Sequence, residues 1–352
     1  MIDKNTHIVI LAGGTGSRFW PLSCEDKHKQ FLDILNLGQT LIQLTAARFR
    51  DLAPVENIWV LTQARYAQLV YDQLPFVPKD QVLLEPCGRN TAPPICYVSW
   101  KIKKRNQRAN IVVTPADHYI PDVAAFQASI SDCLSFAAET DGLITLGLKP
   151  TRPETGYGYI KADLSYPSSR GLNIFRVDGF KEKPAREVAE QYVAQPNYLW
   201  NSGIFVWSVS TIVNAFRVYE PEMSAVFEQM MPVYDTAEER ERLDKEFPEC
   251  KNISVDYAIL EKAEEIFVHP ASFAWSDLGT WSSLREQVAH DAYGNAAVGE
   301  NIHFFDSRGC MVHVHGKKRV VVQGLEDFVV VEEDDRILIC KLSEEQRIKL
   351  FH

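Results

Sequence analysis

Residues 7–23 read His7-Ile-Val-Ile-Leu-Ala-Gly-Gly-Thr-Gly-Ser-Arg-Phe-Trp-Pro-Leu-Ser23, and the prediction of the fold starts from here. The apolar, β-branched beginning predicts a buried parallel strand, which gives way to glycines at positions 13, 14 and 16. Glycine lets a backbone turn sharply and aim its N–H groups at one anion. Because the cations Arg18 and Lys29 follow, the stretch predicts a phosphate-binding loop.

The glycine loop alone does not decide which ligand is bound. It lacks the Lys-Ser/Thr pair of a Walker loop and the glycine spacing of a dinucleotide fingerprint. A tight strand-to-helix turn without a ligand remains the alternative interpretation of these glycines.

The chain of 352 residues is 46% hydrophobic and 24% charged, which is typical of a globular protein with one large domain and a smaller one. Its formal charge of −10 and lack of a long basic run disfavour nucleic-acid binding. The seven cysteines are odd in number and form no CxxC pair, so neither a disulfide framework nor a zinc site is indicated. Without a secretory or membrane-spanning segment, we expect a cytoplasmic protein with no membrane contact.

The first third of the chain alternates strands with helices. Predicted strands at 58–61, 81–85 and 111–114 are separated by helical segments, which favours a parallel α/β sheet. Ligands of such sheets lie beyond the carboxyl ends of the strands. The glycine loop and two further polar segments, 85–91 and 115–118, all follow predicted strand ends, so we expect a binding site at that edge.

The remaining chain changes pattern twice. Residues 143–207 predict a mixed or antiparallel region. Residues 209–247 predict helices that cover the sheet, and residues 254–260 predict a further short helix. From about residue 290, short strands recur between turns, with a helix at 343–351. We therefore predict a main domain over 1–288 and a small β-rich domain over 289–352.

Several polar residues have both a structural and a functional interpretation. Asp117 could cap the helix near residue 122, or it could hold Mg²⁺ together with Asp277, since Mg²⁺ prefers one or two carboxylates plus phosphate oxygens. Glu182 and Lys183 could be a surface ion pair of little energetic value. Asn201 could belong to a simple turn.

Taken together, the motifs resemble the sugar nucleotidyltransferase family and, within it, the mannose-1-phosphate guanylyltransferases. The stretches that carry the resemblance are 11–18 (Leu-Ala-Gly-Gly-Thr-Gly-Ser-Arg), 29–32 (Lys-Gln-Phe-Leu), 85–93 (Glu-Pro-Cys-Gly-Arg-Asn-Thr-Ala-Pro), 115–118 (Pro-Ala-Asp-His), 155–160 (Thr-Gly-Tyr-Gly-Tyr-Ile), 180–184 (Phe-Lys-Glu-Lys-Pro), 201–205 (Asn-Ser-Gly-Ile-Phe) and 275–281 (Trp-Ser-Asp-Leu-Gly-Thr-Trp). The resemblance implies an α/β fold with a Rossmann-like mixed sheet of the GT-A-like kind. It also implies that the C-terminal all-β appendage is a left-handed β-helix-like segment.

The resemblance further implies transfer of GMP from GTP to mannose 1-phosphate with Mg²⁺ as cofactor, in a homodimer formed through the β appendage. The implied catalytic residues are Arg18, Lys29, Asp117 and Asp277, of which Asp117 and Asp277 would hold the metal. The implied nucleotide-binding residues are Leu11, Ala12, Gly13, Gly14, Thr15, Gly16, Ser17, Arg18, Lys29, Glu85, Asn90, Thr91 and Asp117. The implied sugar-phosphate-binding residues are Gly156, Tyr157, Glu182, Lys183, Asn201 and Asp277.

Two positions depart from the pattern of the family. Cys24 stands where the family usually has Arg, and His28 stands where Pro usually precedes the lysine, so one cation is lost from the loop. This departure leaves open a non-catalytic protein that binds a sugar nucleotide and regulates a partner. The retained Lys29, Asp117 and Asp277 argue against such a regulatory protein. The α/β pattern and the glycines also leave open a nicotinamide-dependent oxidoreductase.

Overall fold

The computed structural model describes residues 3–14, 16–167 and 172–351. The predicted nucleotide-binding residue Thr15 therefore lies outside the described residues. By their internal contacts the residues group into two compact units, each made of separate segments. Unit 1 comprises 1–13, 48–115 and 121–274, and unit 2 comprises 14–47, 116–120 and 275–352. The two units differ from the predicted division into 1–288 and 289–352, because each unit combines segments from different parts of the chain. The predicted functional roles of those two ranges stay predictions.

The strands follow the predicted apolar runs, with three additions at 266–271, 296–298 and 302–305. They are β1 Thr6–Leu11, β2 Ile58–Gln63, β3 Val82–Glu85, β4 Asn110–Pro115, β5 Leu143–Leu148, β6 Tyr159–Pro167, β7 Phe175–Lys181, β8 Tyr198–Ser208, β9 Ile266–Ala271, β10 Ala296–Val298, β11 Ile302–Phe305, β12 Met311–Val314, β13 Val320–Gln323, β14 Phe328–Glu333 and β15 Arg336–Lys341.

The α-helices are α1 Leu41–Arg48, α2 Ala67–Gln73, α3 Ala92–Arg105, α4 Val123–Ala137, α5 Arg186–Val193, α6 Val209–Tyr219, α7 Pro221–Gln229, α8 Glu238–Glu246 and α9 Trp281–Arg285. Two predicted helices have another geometry, since Asp256–Leu260 is a π-helical turn and Leu342–Leu350 is a 3₁₀ helix.

Unit 1 contains the predicted mixed sheet, in the order β3-β2-β1-β4-β8-β5-β9-β7-β6. Strands β1 to β4 pair in parallel, as the alternating pattern predicts. Strand β8 then runs antiparallel to both β4 and β5, which makes the sheet mixed. The carboxyl ends of β1, β3 and β4 therefore share one edge, from which the predicted polar segments continue.

Helices α3, α6 and α7 bury large side chains in the main core of unit 1, where Trp59 and Trp207 are fully enclosed. Strand β1 is buried along almost its whole length, which explains why its sequence is apolar rather than alternating. Burial of this kind stabilises a fold by about 25 cal/mol for each Å² of apolar surface removed from water.

Unit 2 holds the predicted C-terminal β region. Its strands pair mostly in parallel with strands 15 or 18 residues further along the chain, as in Ala296↔Met311, Met311↔Val329 and Ile302↔Val320. Parallel pairing at so short a separation means that the chain coils between the partner strands. Strands at 296–341 agree with the predicted β appendage, whereas its left-handed β-helical form stays a prediction.

A second core lies inside unit 2 and joins its separate segments. Phe19 and Leu22 from the glycine-loop segment pack with Trp281 and Leu284 of α9 and with the apolar faces of β12 and β14. The ring centroids of Phe19 and Trp281 are 4.9 Å apart. The residues after the glycine loop are therefore held by the C-terminal part of the chain. Within the described ranges, none of the helices is long and apolar enough to span a membrane.

Candidate active site

Gly16 is the glycine whose geometry the loop requires. Its φ angle is 58°, and a Cβ atom at this position would lie 2.6 Å from the Cβ of Lys29. A side chain at Gly16 would therefore be strained by its backbone angle and would also collide with Lys29. Gly14, in contrast, has no heavy atom within 4 Å of such a Cβ.

Lys29 lies in the 3₁₀ turn Lys29–Phe31 and is only 4% exposed. Its ammonium forms an ion pair of 2.7 Å with Asp117 Oδ2. It also donates hydrogen bonds to the backbone oxygens of Asp277, at 2.7 Å, and Leu278, at 3.0 Å. An ammonium has three N–H donors, so these three oxygens use all of them.

The two predicted metal carboxylates are held differently. Burial alone would raise the pKa of Asp117, but the Lys29 ammonium and His118 together hold the pKa of that carboxyl below its usual value. Asp277 Oδ1 accepts a hydrogen bond of 3.0 Å from the N–H of Gly279. The helix-cap interpretation of Asp117 is wrong, because Asp122 is the cap of α4 and accepts a bond from Ala125 N–H.

A cavity of about 330 Å³ in unit 2 brings together the predicted catalytic residues. Its lining residues are Gly16, Ser17, Arg18, Phe19, Lys29, Asp117, His118, Asp277, Gly279 and Lys349. Arg18 is exposed at its mouth, whereas Lys29 is buried. Glycine backbone, cations and carboxylates in one cavity are the groups that a polyphosphate with its counter-cation requires.

The donor set of this cavity fits Mg²⁺. Asp117 and Asp277 offer oxygen ligands, and Mg²⁺ uses one or two carboxylates with substrate phosphates and water rather than a full protein cage. Among the residues that the structure describes, three or more His, Cys, Asp or Glu side chains do not gather into a metal cluster. The remaining ligands would therefore have to come from substrate and water.

Unit 1 places Glu85 at the end of β3, where it is only 6% exposed. Burial raises the pKa of Glu85 to about 8. A Cβ atom on Gly13 would lie 3.8 Å from Glu85 Oε1, so the first glycine of the loop lies beside this carboxyl. Leu11 and Ala12 complete the end of β1, and Ala12 N–H donates to Leu61 O at 2.8 Å.

The segment 88–91 is tied to the chain before the π-helical turn. Asn90 has a φ angle of 62°, and its side-chain oxygen accepts a bond of 3.0 Å from Thr91 N–H. Thr91 Oγ1 accepts from Val255 N–H at 2.9 Å, and Arg89 Nε donates to Pro248 O at 2.9 Å. The loop is thus anchored on both sides of Asn90.

A second polar cluster in unit 1 contains the predicted sugar-phosphate residues. Glu182 is 7% exposed, its carboxylate lies 2.9 Å from Lys183 Nζ, and its Oε2 has no hydrogen-bond partner among the described residues. Asn201 lies in β8, not in a turn, and its Nδ2 donates to Asp256 Oδ1 at 2.8 Å. The predicted ion pair of Glu182 and Lys183 is thus present, but it joins a buried carboxylate to an exposed ammonium and is not a pair of two surface side chains.

Gly156 and Tyr157 precede β6. Gly156 N–H donates to Glu154 Oε1 at 3.1 Å, and Tyr157 O accepts from Lys183 N–H at 3.2 Å. The Tyr157 ring meets Trp200 edge-on, with centroids 5.2 Å apart. Tyr157 is therefore next to the Glu182 cluster through its backbone contact with Lys183.

Three residues of these clusters were missed by reasoning from the sequence. Asp256 joins the Glu182 cluster, and burial together with the Glu182 carboxylate raises its pKa to about 6. His118 lines the unit 2 cavity, and its Nδ1 accepts from Trp275 Nε1 at 3.2 Å. Lys349 lines the same cavity from the last 3₁₀ helix. The sequence around Asp256 does carry an indication of a special role, because a single carboxylate stands there in an apolar segment. The sequence around Lys349 carries no such indication.

Comparisons with known proteins agree with this chemistry. The nucleotidyl transferase family model matches residues 7–293. The mannose-1-phosphate guanylyltransferase of Escherichia coli strain K12 is 35% identical over 354 residues, which cover 99% of this chain and 73% of that protein. The xanthan biosynthesis protein XanB of Xanthomonas campestris pv. campestris is 36% identical and covers 97% of this chain, with 71% of its own length matched.

A solved structure gives the same relationship in three dimensions. The crystal structure from Thermus thermophilus that is named mannose-1-phosphate geranyltransferase superposes with a TM-score of 0.86 at 31% sequence identity. The match covers 99% of this chain and 98% of that one. The family match, the identity of 35–36% to these two relatives and the shared fold show that the chain belongs to the nucleotidyl transferase family and is an enzyme of sugar nucleotidyl transfer.

Proposed function

We propose that this enzyme transfers GMP from GTP to α-D-mannose 1-phosphate, giving GDP-mannose and pyrophosphate. The observation that carries the proposal is the unit 2 cavity, in which the glycine loop, Arg18 and Lys29 meet Asp117 and Asp277. The choice of mannose and guanine is supported by the motifs at 85–93 and 275–281 and by the names of relatives at 35–36% identity.

In the proposed reaction, a phosphate oxygen of mannose 1-phosphate attacks the α-phosphorus of GTP in line. The new P–O bond forms as the bond from the α-phosphorus to the bridging oxygen breaks, and pyrophosphate leaves with that oxygen and its electron pair. Because the protein forms no covalent bond, positioning and charge neutralisation supply the rate enhancement.

The residues of unit 2 are proposed to handle the triphosphate. Backbone N–H groups after Gly13 and the Arg18 guanidinium bind the β- and γ-phosphates, and Lys29 provides a fixed positive charge for the transferred phosphate. Asp117 and Asp277 hold Mg²⁺, which supplies Lewis-acid charge stabilisation when it is bound. Lys29 is kept in position by the oxygens that it already contacts.

The residues of unit 1 are proposed to recognise the two organic parts of the substrates. Glu85, Asn90 and Thr91 recognise guanine and ribose. Gly156, Tyr157, Glu182 and Asn201 bind mannose hydroxyls, and Lys183 binds the sugar phosphate. The unpartnered Glu182 Oε2 supports this proposal, because a buried carboxylate oxygen without a donor is costly unless a ligand hydroxyl satisfies it.

A homodimer formed through the β appendage is also proposed. Strand β15 is an edge of its sheet, and its outward residues Ile337 and Ile339 are 65% and 61% exposed. Exposed apolar side chains on a sheet edge are a pairing surface. Sedimentation should give twice the mass of the chain, and aspartate at both positions should give monomers; a monomeric native protein would contradict the proposal.

The proposed reaction is tested with a matrix of nucleoside triphosphates and hexose 1-phosphates, with released pyrophosphate as the readout. We expect Mg²⁺-dependent release from GTP only when mannose 1-phosphate is present, and loss of release with excess chelator. Turnover of glucose 1-phosphate with another nucleotide, and none with the proposed pair, would assign the enzyme to a different branch. Tight GDP-mannose binding without turnover would favour a regulatory protein.

A further inference from the structure

The C-terminal 3₁₀ helix Leu342–Leu350 is anchored inside unit 2 next to the glycine-loop segment. Ile348 is fully buried in the second core, and Leu342 packs against the same cluster. Glu345 Oε2 accepts a hydrogen bond of 2.9 Å from Ser282 N–H. The helix also packs against the turn Ser17–Phe19. Its position is therefore determined by a buried side chain and a charge-assisted hydrogen bond, and not by surface contacts alone.

Lys349 follows the buried Ile348 directly, and this places its side chain in the lining of the unit 2 cavity. The other strong cations of that lining are Arg18 and Lys29. The three N–H donors of Lys29 are used by Asp117 and two backbone oxygens. Neither Arg18 nor Lys349 forms an ion pair with any described residue, so their donors remain available to a ligand.

We infer that Lys349 is a binding residue for the two phosphates that leave as pyrophosphate. The inference rests on the proposed function. It adds to the cavity a phosphate-binding cation, Lys349, that comes from the last helix of the chain. Lysine binds phosphate as a compact point charge on a flexible stem, which suits a position at the cavity mouth. The turn Ser17–Phe19 carries Arg18, so the two available cations lie on two elements that pack against each other.

The alternative is that Lys349 is a solvated surface lysine that lies near the cavity without contributing to it. The two interpretations differ in what removal of the charge does to phosphate affinity. Arg347 is a matched control, because it lies in the same helix, is exposed and pairs with Glu344 at 3.1 Å, but does not line the cavity.

The direct test is calorimetric binding of inorganic pyrophosphate with Mg²⁺ to the full-length protein and to the variants K349A, K349R and R347A. We expect K349A to bind pyrophosphate about tenfold more weakly, as for the loss of one charge-assisted hydrogen bond. R347A should bind as the unaltered protein does, and K349R should stay within about threefold because the charge is retained. In turnover, K349A should raise KM for GTP by a similar factor and lower kcat less.

The outcomes separate this inference from the proposed function. If the unaltered protein does not convert GTP and mannose 1-phosphate, the proposed reaction fails, whereas pyrophosphate binding still tests Lys349. If K349A binds pyrophosphate as tightly as R347A does, the inference is overturned. A loss of affinity in K349A that K349R does not restore also overturns it, because the charge would not be the cause. Thermal unfolding of each variant shows whether the helix remains docked.

Discussion

Replacement of Lys29 by methionine should destabilise the protein by about 2–3 kcal/mol at pH 7. Removing one partner of a buried ion pair typically costs about 3–5 kcal/mol, because the other charge stays behind uncompensated. The Asp117 side chain is 29% exposed, so water screens part of this cost and we lower the expectation accordingly. Methionine retains the length of the apolar stem, so the loss is assigned to the ammonium and its three oxygen partners.

The effect should also depend on pH, and its direction follows from the lowered pKa of Asp117. A carboxyl whose folded-state pKa is lowered adds stability above its unfolded value, which is about 3.9, and loses it as the pH falls through the folded-state value. In K29M the ammonium is absent and burial raises the pKa of Asp117, so this carboxyl takes up a proton at a higher pH than in the native protein. The difference in unfolding free energy between the native protein and K29M should therefore be largest near pH 7 and shrink as the pH falls.

The assay is equilibrium unfolding in urea or by heat, in which about 2.5 kcal/mol corresponds to a fall in Tm of roughly 3 °C for a chain of this length. Lys27 is a suitable control, since it lies two residues away and is exposed; K27M should change the unfolding free energy by less than about 0.5 kcal/mol. If K29M and K27M have the same unfolding free energy at pH 7, the Lys29 ammonium does not stabilise the fold through its oxygen partners, and the reasoning is refuted. Turnover of K29M should fall by about 100-fold or more.

Three further substitutions test separate features of the two units. G16A should lower the unfolding free energy by about 2 kcal/mol or more, through its positive φ and the 2.6 Å approach to Lys29, whereas G14A should be nearly neutral in the same unfolding assay. E85Q should lack a pH dependence of the unfolding free energy that the native protein shows. The pKa of Glu85 is about 8 in the folded protein and about 4.3 in the unfolded chain. The unfolding free energy of the native protein should therefore fall, relative to that of E85Q, by about 1.4 kcal/mol per pH unit between about pH 5 and pH 8. D277N should retain the Gly279 hydrogen bond and the fold but lose about 100-fold or more in Mg²⁺-dependent turnover, and near-normal turnover would make Asp277 a structural residue.

The strands at the start of the chain could be predicted because their pattern is local. A run such as 7–12 is apolar at every position only when both faces of a strand are covered, and β1 is buried in this way. Strand β9 was not predicted, because His269 and Pro270 interrupt its apolar pattern. Its place beside β5 depends on a parallel pairing between segments more than 120 residues apart, which no local pattern encodes.

The composition of unit 2 was likewise only partly predictable from local sequence patterns. A change to short, regularly spaced strands after residue 290 predicts a β region, and the strands are present. The sequence pattern does not show that 14–47 and 116–120 group with that region in one compact unit. That grouping results from packing of Phe19 and Leu22 against α9 and the β strands. Such contacts between distant segments depend on how the apolar faces pack in the folded protein.

By itself, the sequence determined the loop after β1 and the types of residue that could serve phosphate transfer, because glycine stereochemistry and strand periodicity are local properties. The tertiary structure alone decided which of them meet. Lys29 contacts the backbone of Asp277 across 248 positions, Asn201 holds Asp256 across 55, and Lys349 enters the cavity from the last helix. The physical reason is that such pairs are selected by packing and by the cost of leaving buried charges without partners, neither of which is encoded in a short stretch of chain.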